Sequence, residues 1–192
     1  MPIHTPRLLI RPKVEGDGAL TSVAVAETWT ELQRWMQWAE DLTLLTAERI
    51  EERTRQLMAS FPMGETVEFI GMETASGLPV VWCGFHDIDW EARQCDTGFW
   101  VRKSAHGRGF ATEAANALLR YAFGALGMQR VGLTHSRGNE ASGRIAEKLG
   151  FTREGVQAGA NRLPGGRLAD RFCYARFDAE GLPDLDVRWD GG

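Results

Sequence analysis

The chain is poor in cysteine, has no long apolar run and carries no surplus of basic charge, and each shortage removes a class of function. Its three cysteines, Cys83, Cys95 and Cys173, are odd in number and widely spaced. They spell out neither a disulfide framework nor a Cys-x-x-Cys zinc or redox site. They read as buried thiols of a reducing compartment, and no metal ligand set is assigned. No stretch approaches the roughly 18 apolar residues of a membrane span. The opening MPIHTPRLLIRP also lacks the apolar core of a signal peptide, so a cytoplasmic location and no membrane partner are expected. Lys and Arg total 22 against 26 Asp and Glu, a net charge of −4, which argues against a general nucleic-acid binder. An acidic balance mildly suits cationic substrates such as amines. Two phosphate signatures are missing as well. There is no Gly-x4-Gly-Lys-Ser/Thr, and no third glycine completes Gly-x-Gly-x-x-Gly.

What is present reads as one α/β domain over residues 1–181, with a tail at 182–192 (LPDLDVRWDGG) expected to be loose, although Trp189 has the means to dock on the body. Residues 7–12 (RLLIRP) form a short apolar run closed by proline, a first strand. Helices are expected over 15–26, over 28–38 with Leu32, Trp35, Met36 and Trp38 on one face, and over 46–61 opening at Thr46. Residues 66–74, 79–88 and 94–101 are β-rich runs separated by short turn-like breaks, which implies an antiparallel meander. A helix over 111–126, a strand over 130–135, a helix over 139–149 stopped by Gly150, and strands over 151–157 and 170–177 complete the chain. The order predicts a mixed, mostly antiparallel sheet of six to seven strands with helices on both faces.

The strongest local signal is SAHGRGFATEAA, residues 104–115. It follows a strand, carries Gly107 and Gly109, and opens a long helix. Two glycines let the backbone approach a ligand, and the first helical turn offers unpaired N–H groups and the positive end of its dipole. The combination suits a phosphate or pyrophosphate. A tight turn that merely needs glycine would look the same.

At this point the chain resembles a family. GFWVRKSAHGRGFATEAANALLRYAF (98–123) is similar to the acetyl-CoA site of GNAT acetyltransferases of the RimJ/RimL type. RVGLTHSRGNEASGRIAEKLGFTREG (130–155) resembles that group's strand, Asn-x-x-Ser helix and Lys-Leu-Gly-Phe turn, and TPRLLIRP and DRFCYA match its usual start and finish. The resemblance runs from about residue 5 to residue 178. It departs at Ser104, where the wider superfamily often has Gln or Arg.

The resemblance implies a GNAT fold, acetyl-CoA as co-substrate without a metal, and an amine as partner. The amides of His106, Gly107, Arg108, Gly109, Phe110 and Ala111 would hold the pyrophosphate. The backbone of Trp100 and Val101 would pair with pantetheine like an added strand. Arg102, Lys103, Arg108 and Arg137 would offset phosphate charge, or be solvated surface cations. Asn139 would be both an N-cap and a neighbour of pantetheine, and the Ser142 hydroxyl would give a proton to the leaving thiolate.

The reaction implied is direct attack of a neutral amine on the thioester in a ternary complex, with an oxyanion held by a backbone amide near Val101. Some RimL-like relatives carry a Glu shortly after the Lys-Leu-Gly-Phe turn. Asn161 stands there and cannot take a proton. Asp96, Glu68, His86 and His135 remain as candidate bases. The lack of an obvious strong base favours α-amines, of which about a tenth are neutral at pH 7, over lysine side chains. The acceptor is expected to be a protein N-terminus. A polyamine, an aminoglycoside-type amine, a larger acyl donor such as succinyl-CoA, and a CoA-binding sensor without turnover are the alternatives. The pocket should come from residues 28–38, 86–90 and 158–166, with NRLPGGR (161–167) a flexible loop at its rim. A homodimer is compatible with the exposed-looking tryptophans.

Overall fold

In the computed structural model, which describes residues 1–60 and 64–189, the chain builds one open sheet with helices on both faces. In order, the elements are β1 (Ile3–His4), β2 (Leu8–Pro12), α1 (Gly18–Leu32), two 3-10 turns (Gln37–Glu40 and Leu42–Leu45), α2 (Ala47–Ser60), β3 (Val67–Glu73), β4 (Pro79–Asp89), β5 (Gln94–Val101), α3 (Phe110–Gly124), β6 (Arg130–Ser136), α4 (Glu140–Lys148), β7 (Thr152–Arg162), β8 (Leu168–Arg176) and β9 (Arg188–Trp189). The sheet order is β7-β8-β6-β5-β4-β3-β2-β1-β9, and among the described residues only the β5–β6 pairing is parallel. The sheet has nine strands where six to seven were expected. The two extra strands, β1 and β9, are two residues long and too short to leave an alternating pattern.

Side-chain alternation divides the sheet. Phe69, Val81 and Cys83 point to one face and pack with Ala114, Leu118 and Tyr121 of α3 and Ala146 of α4. Ile70 and Trp82 point to the other, against Ala24 of α1. Alanines at 114, 115, 117 and 122 are fully buried and let α3 lie close to the strands. Leu118 and Leu119 fill the gap, each worth about 1.5–3 kcal/mol by area alone.

Three expectations change. The helices expected over 15–26 and 28–38 are one helix to Leu32, because no glycine or proline interrupts residues 19–32. Beyond it the chain turns extended at Met36, as Trp35 meets Gly138 and Trp38 meets Trp100 in different places. The last expected residue of the 46–61 helix lies outside the described residues. The tail is not loose as far as Trp189: Leu182 is buried, Pro183 O accepts from Asn116, β9 pairs with β1, and Trp189 packs edge-on against Tyr121 at 5.7 Å. The strand expected over 151–157 is longer, while the expected rim loop over 161–167 holds the turn at Pro164–Gly166. β7 runs to Arg162, because β8 offers its polar backbone a ladder through two register shifts.

Candidate active site

Two strands that part company create the central feature. β5 and β6 pair only at Gln94–Arg130, Cys95–Val131 and Asp96–Gly132. Beyond Asp96, β5 stays bonded to β4 as far as Val101, while β6 stays bonded to β8 as far as Ser136. A wedge opens between them. Arg102 N–H donates to the Val80 carbonyl at 2.9 Å, so even-numbered residues here turn their backbone groups to β4. Phe99 and Val101 therefore face the wedge with both N–H and C=O. The expectation that Trp100 would offer its backbone is corrected by this register: Trp100 pairs with Trp82. On the wedge side the backbone groups are those of Phe99 and Val101.

At the wide end of the wedge sits the glycine loop. Gly107 and Gly109 have φ of +74° and +84°, a conformation costly for residues with a Cβ. The His106 N–H, expected in the cradle, instead donates to the Lys103 carbonyl at 3.1 Å, closing the turn before the loop, while among the described residues the N–H groups of 107–112 donate to no acceptor. They converge at the N-terminus of the 15-residue α3, where the dipole adds positive potential. Phe110 is a core side chain, so only its amide is free for a ligand. The His106 imidazole bonds the Val101 carbonyl through Nε2 at 2.8 Å and so stands in the mouth of the wedge.

The loop is braced by residues that sequence reasoning missed. Arg7 donates to the Arg108 carbonyl at 2.9 Å and to Glu113, whose side chain is only 7% exposed. Glu27 accepts from Arg102 and from Ser104 N–H. Burial opposes the Glu27 charge, but the bonds from Ser104 and Arg102 outweigh it and hold the carboxyl down at about 2. No local pattern marks these pairs, which span 75 or more positions. All four expected phosphate cations have carboxylate partners: Arg102 with Glu27, Lys103 with Glu31, Arg108 with Glu73 and Arg137 with Asp170. Arg108 and Arg137 remain about half or more exposed.

On the α4 side, Asn139 caps its helix, its Oδ1 accepting from Ser142 N–H at 3.4 Å. The Ser142 hydroxyl forms no hydrogen bond among the described residues.

The other side of β5 opens into a cavity of about 400 Å³ on the α1–α2 face. Gly84 and Gly98 pair across β4 and β5 and leave its floor bare. Trp100 stacks on Trp82 at 4.1 Å, and Trp38 lies 6.3 Å from Trp100, making an aromatic wall. The Gln37–Glu40 turn roofs this region. Glu40 accepts from Gly165 N–H at 2.7 Å and pairs with Arg162, which ties the expected flexible rim to the roof.

The four candidate bases are far from equal. Glu68 is held by Lys13 at 3.0 Å and Arg53 at 2.9 Å. Burial opposes its charge, yet the two cations keep its carboxyl below the usual range. His135 is buried and stacked on Phe172 and Tyr174, with Nδ1 on the Ser136 carbonyl, on the α4 face. Asp96 is pushed up by burial, with His86 and Arg130 pulling the other way. His86 lies in the cavity wall with its side chain 43% exposed. Asn161 bonds the Ser136 hydroxyl.

Comparisons with known proteins fit this geometry. A family model described as an acetyltransferase (GNAT) domain matches residues 7–152. A candidate ribosomal N-acetyltransferase of Bacillus subtilis, YdaF, is 37% identical over 76 residues, 38% of this chain and 42% of that protein. The match thus spans about two-fifths of that relative's length. Ribosomal-protein-S5-alanine acetyltransferase from Vibrio fischeri superposes with a TM-score of 0.85 at 16% identity, covering 95% of this chain and all of the other. Mycobacterium smegmatis RimJ, solved with CoA-disulfide, gives a TM-score of 0.81 at 23% identity, covering 96% and 88%. These two show likeness of fold. No helix of the described residues is long and apolar enough to cross a membrane.

Proposed function

The chain belongs to the GNAT acetyltransferase family, and from that premise we propose that it moves an acetyl group from acetyl-CoA to a primary amine, with a protein N-terminal α-amine as acceptor. The observation that carries this reading is the wedge. Its inner edge offers the backbone of Phe99 and Val101, and its wide end offers six free amides at a helix N-terminus. A long, thin ligand with amides along its length and a diphosphate at one end matches both features. The Phe99 or Val101 N–H is placed to stabilise an oxyanion at the thioester carbon. The amine enters from the opposite side, through the cavity over Gly84 and Gly98, and attacks directly. Ser142, at the first turn of α4, serves the departing sulfur as proton donor.

His106 would have to leave the Val101 carbonyl for pantetheine to pair there. The bond it gives up is of modest net worth, about 0.5–1.5 kcal/mol. A second reading, a free small-molecule amine, is favoured by the Glu40 tie, which fastens the roof of a cavity of about 400 Å³. Thiol release from acetyl-CoA with peptides bearing only an α-amine, run beside a panel of polyamines and aminoglycosides, tests both. Release with the peptides supports the first reading, release with the small amines alone supports the second, and binding without release on any amine would mean a sensor.

A further inference from the structure

We propose that His86 receives the proton of the attacking amine, with Asp87 fixing its tautomer. The proposal rests on the acetyl-transfer reading above and adds the group that reading leaves unassigned. His86 and Asp96 form a cross-strand pair on the cavity face of β4 and β5, immediately inward of the Gly84–Gly98 pair. A Cβ placed on Gly98 would lie 3.4 Å from His86 Nε2, so the imidazole edge lies over the bare floor of the cavity. Gly98 is two residues past the last β5–β6 bridge at Asp96, which is the narrow end of the wedge. A thioester whose diphosphate sits at the wide end has its acyl group near this point. The ring therefore stands where the acceptor nitrogen must pass.

The chemistry of the contacts fixes the ring's state. His86 Nδ1 lies 3.0 Å from Asp87 Oδ2, and a carboxylate can only accept, so Nδ1 carries the hydrogen. Nε2 is left with a free lone pair directed over Gly98. Asp87 adopts a φ of +51°, unusual for a residue other than glycine, and this turns its carboxylate back onto the ring beside the register shift between His86 and Asp89. The remaining charged groups nearby are acidic or neutralised. Asp96 faces the ring from β5, Arg130 of β6 lies 3.8 Å from Asp96, and Glu154 of β7 pairs with Arg130 at 2.7 Å. Glu68, which pairs with Gly84 across β3 and β4, is held in one cluster by Lys13 and Arg53. The His86 ring nitrogen and the Asp87 and Asp96 carboxylate oxygens lie within 4.8 Å of one another.

The step balances as follows. An acceptor ammonium gives one proton to Nε2, and the freed lone pair forms the C–N bond. The C–S bond breaks, and sulfur leaves with its electron pair. The surplus amide-nitrogen proton ends on that sulfur, and the imidazolium returns its proton to solvent.

The test compares wild type with His86→Gln and Asp87→Asn, using acetyl-CoA and a short alanine-initiated peptide without lysine. For His86→Gln, kcat/KM for the peptide at pH 7 should fall by about 10²-fold, with the Kd for acetyl-CoA unchanged. The deficit should shrink as pH rises past the peptide amine's pKa of about 8, where the amine deprotonates unaided. Added imidazole should restore part of the rate, and Asp87→Asn should fall by a smaller factor with the same pH trend. A deficit constant across pH, or no deficit, overturns the assignment. Failure of the wild-type chain to bind acetyl-CoA would instead remove the acetyl-transfer reading, and the role of His86 with it.

Discussion

A single methyl group at Gly107 probes the anion cradle. At φ +74° an alanine costs about 1–2 kcal/mol through contact of its Cβ with its own backbone. A Cβ there would meet no other protein atom within 4 Å, so Gly107→Ala disturbs nothing except its own conformation and whatever lies in front of the loop. Free protein should lose about 2–4 °C in Tm per kcal/mol. If the loop cradles a diphosphate, the methyl also crowds the ligand and turns neighbouring amides away. A loss of one of these bonds at about 1.4 kcal/mol weakens CoA tenfold. At a CoA concentration of about 100 times the wild-type Kd, wild type gains about 2.7 kcal/mol and the variant about 1.4. The CoA-induced rise in Tm should therefore fall to about half. Gly127→Ala is the control: its φ is +65°, its Cβ would also meet nothing within 4 Å, and it lies beyond the far end of α3. It should show the same strain and a full CoA response. If Gly107→Ala also keeps the full response, measured by thermal denaturation and by titration, the loop does not hold the diphosphate.

Three further outcomes are expected. Glu27→Gln should weaken CoA binding by loosening the 102–104 turn. It should also flatten the acid limb of the stability curve: with a folded-state pKa lowered from 4.5 to about 2, the wild-type carboxylate contributes fully above pH 4.5 and loses that contribution as pH falls towards 2. Denaturation series at pH 7 and pH 3 that show identical losses for both proteins would contradict this. Ser142→Ala should lower kcat by about 10²-fold or less with Kd for CoA unchanged, and an unchanged kcat would remove the hydroxyl from the mechanism. Glu40→Ala frees the β7–β8 tip and should raise KM for the amine several-fold while costing about 1 kcal/mol or less in stability. An unaltered KM would place the amine's path elsewhere.

The sequence carried the parts that are local. The glycine loop before an amphipathic run predicts α3 and its anion-binding end, and the N-cap at Asn139 and the β-meander over 66–101 follow from short-range patterns. The glycine turn at 107 and 109 and the strand leading to Val101 were legible because loop chemistry and strand order are written in neighbouring letters, whereas the bond that takes the His106 amide to the Lys103 carbonyl was not. Trp100 was misjudged in its backbone role because a one-residue change of register reverses which groups face the wedge, and register depends on partners elsewhere in the chain.

Only the tertiary structure decided the rest. Arg7, Glu27 and Glu113 brace the loop across 75 or more positions, the tail joins the sheet through β9, and Glu40 ties the roof to a hairpin 125 residues away. The candidate bases show the reason most clearly. Glu68, His86, Asp96 and His135 are equal as letters, but the fold gives Glu68 two cations, seals His135 among rings and leaves His86 over a bare glycine floor. A side chain's chemistry comes from its residue type, whereas its solvation and charge partners come from contacts that exist only after folding.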